Sequence, residues 1–154
     1  MNIHEFLDPK AILIQSEAKT SEEVIRTLGT RLFELGYVKD GFVEATLERE
    51  ATMPTGLPLG GEINAAIPHV DIEFVHKSAL GLITLKEPVL FCNMVDQDEQ
   101  VPVKLVIMLA LDQPKSQIEM LQSVAGLLQQ PELITTIMAA RQPQDILDAL
   151  KSAD

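Results

Sequence analysis

The sequence has one cysteine, Cys92, among 154 residues, so no disulfide can form within the chain. A reducing, cytoplasmic setting is the simplest interpretation of a lone thiol. Basic residues are also few: 12 Lys and Arg oppose 23 Asp and Glu, which gives a formal net charge of −11. This charge repels phosphate backbones and anionic lipid, and it argues against nucleic acid or a membrane surface as the main partner.

Long apolar runs are missing as well. The longest, residues 101–111, is interrupted by Pro102 and Lys104 and falls short of the roughly 20 residues that cross a bilayer. The first five residues lack the basic and apolar stretches of a signal peptide, so we expect no targeting segment. Hydrophobic residues make up 46% of the chain, which excludes disorder as its main state. The length suits one domain, which we expect to span residues 1–154.

Apolar periodicity predicts an alternation of strands and helices. A short apolar run predicts a buried strand at 11–14, and the capping-box spacing of Thr20 and Glu23 predicts a helix that ends at Gly36. A second helix is expected at about 40–50. Strands are expected at 78–85, 89–95 and 103–111, with a hairpin loop at 96–100, and helices at 116–130, 131–140 and 143–150. We therefore predict an α/β fold: a single-domain sandwich with a central mixed β-sheet flanked by helices.

The segment from Thr52 to Gly61 holds two prolines and three glycines and cannot form a regular helix. It lacks the Gly-Lys-Ser/Thr ending of a nucleotide-binding loop. No Gly-x-Gly-x-x-Gly follows a strand, and no Gly-x-Ser-x-Gly elbow is present. Nucleotide and dinucleotide binding are therefore not expected.

His69 is the main candidate for chemistry, because it follows Ile67-Pro68 downstream of the Gly/Pro-rich loop. Such a loop can direct several backbone amides at one anion. A neutral imidazole is nucleophilic and can accept a phosphoryl group, and Arg49 could supply a planar donor fork to its oxygens. The alternative remains open that His69 only ends a strand and hydrogen-bonds its neighbours.

Five segments, in this order, resemble one known family. They are Leu-Glu-Arg-Glu at 47–50, Pro-Thr-Gly-Leu at 54–57, Ala-Ala-Ile-Pro-His at 65–69, an apolar strand at 103–110 and a helix start at 117–121. Together they resemble the mannitol/fructose-type IIA domain of the bacterial phosphoenolpyruvate-dependent sugar phosphotransferase system. Three features resemble its galactitol-type subgroup: Gln117, a Gln-Gln-Pro stretch at 129–131 and the stand-alone length.

The resemblance implies a phosphocarrier with His69 as the phosphorylated residue. The donor would be the phosphohistidine of the small carrier HPr, and the acceptor a cysteine of a IIB component that serves a membrane IIC permease. Arg49 matches an arginine near the phosphoryl group, and Thr55 and Gly56 match the loop that lines the site. No metal or cofactor is implied, and a monomer is the simplest expectation.

The sequence departs from the family at Gln117. Many members have a second histidine there, whereas a glutamine could orient the His69 ring or contact phosphate but could not carry a proton. Whether His76, Glu62 or Asp71 influences His69 is open. An apolar approach face is expected at Leu57, Leu59 and Ile63. Two other functions stay open: a regulator that signals by its phosphorylation state, and a non-enzymatic binding module.

Overall fold

The computed structural model describes residues 2–153 as one β-sheet with helices on both faces. Within these residues the strands are β1 Leu7–Ser16, β2 Gly56–Leu57, β3 Ala65–Ala66, β4 Ala79–Cys92 and β5 Gln100–Ala110. The α-helices are α1 Ile3–Phe6, α2 Ser21–Glu34, α3 Phe42–Thr52, α4 Pro114–Leu127, α5 Pro131–Ala139 and α6 Pro143–Ala153, and a short 3-10 helix covers Ile72–Phe74.

The sheet has the strand order β1-β4-β5-β3-β2 and is mixed. The β1–β4 and β3–β5 pairs are parallel, while β4–β5 and β2–β3 are antiparallel. The predicted fold class, a helix-flanked mixed sheet, is confirmed. In this order the two short strands β2 and β3 lie at one edge, next to the long central strand β5.

Alternate residues of β5 feed two separate cores, as the pleat of a strand requires. Leu105, Ile107 and Leu109 join the core beneath α4, α5 and α6. Val106 and Met108 point to the opposite face, into the core beneath α2 and α3. Burial on both faces explains why the strand sequences are almost continuously apolar.

The two strands predicted at 78–85 and 89–95 are one strand, β4, so this part of the prediction was wrong. The pairing of β4 with β5 shifts register between Thr84 and Val89, around the exposed segment 86–88. Pro88 lacks an N–H for the ladder, and the irregularity accommodates it without ending the strand. The predicted hairpin between this strand and β5 is present.

The predicted helices are confirmed within a few residues at their ends. Thr20 caps α2 by accepting the N–H of Glu23 at 3.1 Å, while the Glu23 carboxylate accepts the N–H of Lys19 at 2.9 Å. The start of the chain adds α1, whose Ile3 is buried against the core. None of the helices within residues 2–153 is both long and apolar enough to cross a bilayer.

Candidate functional site

The backbone that carries His69 runs beside β5. The pairing begins between Ala65 of β3 and Leu105 of β5. An isolated parallel bridge between His69 and Leu109 continues it. The carbonyl of Pro68 accepts the N–H of Leu109 at 3.0 Å. This pairing fixes His69 beside β5, in which residues 105–110 are all buried.

The ring of His69 is held by one short hydrogen bond. Its Nδ1 lies 2.8 Å from the carbonyl oxygen of Ile67, and the His69 side chain is buried, with 8% exposure. A carbonyl can only accept, so Nδ1 carries the proton and Nε2 keeps its lone pair when the ring is neutral. Nε2 is therefore the ring nitrogen whose lone pair is available.

The surroundings of His69 favour the neutral ring. Burial is the main cause that lowers the pKa of His69, and the nearby positive charge of Arg49 lowers it further. The bond to Ile67 and the charge of Asp71 act in the opposite direction but are outweighed. A larger share of the nucleophilic form is thus present at neutral pH than in an exposed histidine.

We expect an NMR titration of the His69 ring to give a pKa below the ordinary value of 6.5. The rate at which His69 is phosphorylated should then stay constant as the pH falls through 6.5, and it should decline only below the lowered pKa. Since the unfolded state binds the proton more readily, the free energy of unfolding should also decrease as the pH falls through this range. A His69 pKa at or above 6.5 would contradict the burial argument.

Arg49, in the last turn of α3, lines the same cavity of about 530 Å³ as His69. Its Nη1 lies 3.8 Å from Asp71 Oδ1, a loose pair in which the Asp71 side chain is 72% exposed. Its Nε is buried and has no hydrogen-bond partner among the described residues. A buried guanidinium N–H without a partner is costly, and an anionic ligand would relieve that cost.

Thr55 also lines this cavity, but its donors are already engaged. The Thr55 N–H donates to Glu50 Oε2 at 2.8 Å, and its hydroxyl donates to Glu50 Oε1 at 2.8 Å. The loop amide of Leu59 likewise donates, to Asn64 Oδ1 at 3.0 Å. The role of Thr55 as a phosphoryl contact stays a prediction, and in this arrangement its only hydroxyl proton is directed at Glu50.

Gly56 is required by a close backbone approach. It pairs with Ala66 on one side, and on the other its carbonyl accepts the N–H of Met94 at 2.8 Å. A Cβ at this position would lie 2.6 Å from the carbonyl oxygen of Cys92. Gly56 thus lets β2 fit between β3 and the end of β4, beside the cavity.

We expect Gly56→Ala to lower the free energy of unfolding by about 1–3 kcal/mol, because two backbone segments would have to separate. Urea denaturation of the variant measures this loss. Gly61→Ala is the matched control, since a Cβ there meets nothing within 4 Å. If the two variants have equal free energies of unfolding, the β2 segment can move away from the Cys92 carbonyl without a loss of stability.

Gln117, in the first turn of α4, contacts the backbone next to His69. Its Nε2 donates to the carbonyl oxygen of Val70 at 3.3 Å, and Gln117 is not among the residues that line the cavity. The ring of His69 bonds to the Ile67 carbonyl, and the contact of Gln117 with the ring or with phosphate stays a prediction. Three other residues were candidates for an influence on His69. Asp71 lies near Arg49. The backbone N–H of His76 donates to the carbonyl of Tyr37, and Glu62 lines a different groove.

The apolar surroundings of His69 differ from the expected set. Leu57 lines the cavity, but Leu59 and Ile63 lie in a separate groove beside α5. The remaining apolar lining comes from residues that were not expected to form this face: Met53, Pro54, Ile67, Met94, Leu121 and Ala125. Met53 and Met94 are 57% and 38% exposed, so the cavity has an exposed apolar rim.

Metal chemistry has no evident site in the described part of the chain. Among residues 2–153, no three His, Cys, Asp or Glu side chains are grouped so that they could hold a metal ion.

Known proteins similar to this chain include components of the sugar phosphotransferase system. A family model described as phosphoenolpyruvate-dependent sugar phosphotransferase system, EIIA 2, matches residues 5–153. The chain is 35% identical over 123 residues to the galactitol-specific EIIA component of Escherichia coli K12, covering 79% of this chain and 80% of that protein.

Two solved structures from Escherichia coli also match this fold. The IIA mannitol crystal structure has a TM-score of 0.76 at 28% identity, covering 93% of this chain and 97% of the other. A complex of IIA mannitol with phosphorylated IIB mannitol has a TM-score of 0.76 at 26% identity, covering 93% and 95%.

Proposed function

Since this chain belongs to the EIIA type 2 family of the phosphoenolpyruvate-dependent sugar phosphotransferase system, a family of phosphotransferase components, we propose that His69 carries the phosphoryl group on Nε2. The observation that carries the proposal is the hydrogen bond of Nδ1 to Ile67, which leaves the lone pair on Nε2. His69 lines the same cavity as Arg49, whose buried Nε has no hydrogen-bond partner among the described residues.

The proposed reaction moves a phosphoryl group between two nitrogens. The Nε2 lone pair of His69 forms a bond to phosphorus while the phosphorus–nitrogen bond of the donor histidine breaks, and the donor ring keeps that electron pair. Arg49 stabilises the negative equatorial oxygens during the transfer. Positive charge develops on the His69 ring, and the Ile67 carbonyl stabilises it through Nδ1–H. The transfer needs no metal, because both reacting groups are protein side chains.

The second step passes the group to a cysteine of a IIB component. The thiolate attacks phosphorus, the bond to Nε2 breaks, and His69 regains its neutral ring. We propose phospho-HPr as the donor and a IIB component as the acceptor, which would phosphorylate a sugar or polyol taken up by a membrane IIC permease. The related IIA mannitol of Escherichia coli forms a complex with phosphorylated IIB mannitol, which supports this acceptor.

The exposed apolar rim of Met53 and Met94 would be part of the surface on which these partners dock. The 35% identity to a galactitol-specific component favours galactitol or a similar polyol as the transported substrate. We further propose that residues 1–154 act as one domain and as a monomer.

The test is to incubate the protein with phosphoenolpyruvate, enzyme I and HPr, and to measure its intact mass at neutral and acidic pH. We expect one acid-labile phosphate, with ¹⁵N NMR placing it on Nε2, and its loss on adding the IIB component of a galactitol system. No mass change with active reagents would refute the phosphocarrier and favour a binding module. Phosphorylation without transfer to any IIB component would favour the regulatory function.

A further inference from the structure

The proposed transfer leaves one acid beside the cavity without a role. Glu50 follows Arg49 in the last turn of α3, where a negative charge opposes the helix dipole. Its carboxylate accepts two hydrogen bonds, from the N–H and the hydroxyl of Thr55, each at 2.8 Å. Burial raises the pKa of Glu50, and the two Thr55 bonds and the charge of Arg49 counteract that rise. Glu50 keeps this unfavourable position and makes two short hydrogen bonds there, which indicates that it has a specific role.

Thr55 links Glu50 to His69 through two further hydrogen bonds. The Thr55 carbonyl accepts the N–H of Ile67 at 3.3 Å, and the Ile67 carbonyl lies 2.8 Å from Nδ1 of His69. Thr55, Ile67 and His69 are 2%, 4% and 8% exposed. Because these groups are buried, water cannot readily replace a bond that is lost.

We infer that Glu50 is a positioning residue for phosphoryl transfer: by fixing Thr55 it fixes the Ile67 carbonyl that sets the tautomer and orientation of the His69 ring. This inference rests on the proposed function for its consequence in catalysis. Its structural part, the control of the ring by Glu50, stands on the hydrogen bonds alone.

A carboxylate is suited to this task because it only accepts hydrogen bonds. Towards an ionised Glu50 the Thr55 hydroxyl can only donate, so its proton always points at the Glu50 carboxylate. A glutamine at position 50 would accept the Thr55 N–H with its carbonyl oxygen and donate its amide N–H to the Thr55 hydroxyl oxygen, so the second bond would reverse its direction. Both bonds would lose the charge of the carboxylate and weaken, and the Thr55 segment could then shift relative to Ile67.

The test compares Glu50→Gln and Thr55→Val with Glu48→Gln and Thr55→Ser. Glu48 is an exposed acid on the same helix, and serine keeps both donors of Thr55. The first readout is the ¹⁵N spectrum of the His69 ring in the unphosphorylated protein. We expect the Nδ1–H tautomer in the wild type and both controls, and a mixture of tautomers in Glu50→Gln and Thr55→Val.

The second readout is the single-turnover rate of phosphorylation by phospho-HPr. We expect a decrease of about tenfold in Glu50→Gln and Thr55→Val, since small displacements of a reacting group are costly. The rate in Glu48→Gln should equal that of the wild type, and the decrease in Thr55→Ser should be smaller than in Thr55→Val. An unchanged tautomer in both test variants would overturn the inference. So would wild-type rates in both variants, if the wild type is phosphorylated.

The two readouts separate this inference from the proposed function. If the wild type takes up no phosphate but the tautomer shifts in Glu50→Gln, the proposed function fails and the control of the ring by Glu50 stands. Should Glu50→Gln not fold, Thr55→Val carries the test, because it removes only the hydroxyl bond and keeps the Thr55 N–H bond to Glu50.

Discussion

The His69→Gln variant is expected to fold and to take up no phosphoryl group. Glutamine has no nucleophilic nitrogen, so the covalent intermediate cannot form and the loss should be complete rather than partial. Its amide nitrogen lies one bond further from the backbone than Nδ1, so we expect the bond to the Ile67 carbonyl to be lost and the free energy of unfolding to fall by no more than about 2 kcal/mol. Intact mass after incubation with phosphoenolpyruvate, enzyme I and HPr measures uptake, and urea denaturation measures stability.

The matched control is His76→Gln. His76 is exposed and its backbone N–H donates to the carbonyl of Tyr37, outside the cavity of His69. We expect this variant to take up one phosphate at the wild-type rate. If His69→Gln takes up phosphate, or if only His76→Gln fails to take it up, His69 is not the residue that accepts the phosphoryl group.

The motif residues of the site were predicted from the sequence because they lie in short, recognisable segments. Arg49 and His69 were selected from their neighbours, and the structure places both in one cavity. The fold class was also predicted correctly, since apolar runs and capping residues are local signals. The error at β4 arose where a proline and two charged residues interrupt an apolar run without ending the strand.

Residues whose role depends on distant contacts were not predicted. Glu50 stands beside Arg49 in the sequence, but its proposed role depends on two hydrogen bonds with Thr55, which lies beyond the bend at Met53. Met94 and Leu121 reach the cavity from the β4–β5 hairpin and from α4. Gln117 donates to the Val70 carbonyl, and its contact with the ring or the phosphate stays a prediction. A single sequence contains no signal for such pairings.

Arg49→Met should slow phosphorylation of His69 by about 10²- to 10³-fold, as expected when a main donor to the transferring group is removed. Methionine retains the apolar stem of the side chain, so the packing of α3 should survive. Arg49→Lys should give an intermediate rate, since lysine keeps the charge but not the planar fork. The single-turnover rate with phospho-HPr measures each effect.

The Arg49→Met variant also tests whether the charge of Arg49 acts on the pKa of His69. Because the charge of Arg49 contributes to the lowered pKa of His69, Arg49→Met should raise that pKa, whereas Arg49→Lys should change it less. The control is Arg26→Met, which removes an exposed arginine that pairs with Glu22 and Glu44 on the helical surface. A wild-type rate in Arg49→Met would exclude Arg49 from the transfer. A slowed rate with an unchanged His69 pKa would show that Arg49 contacts the phosphoryl group without acting on the resting ring.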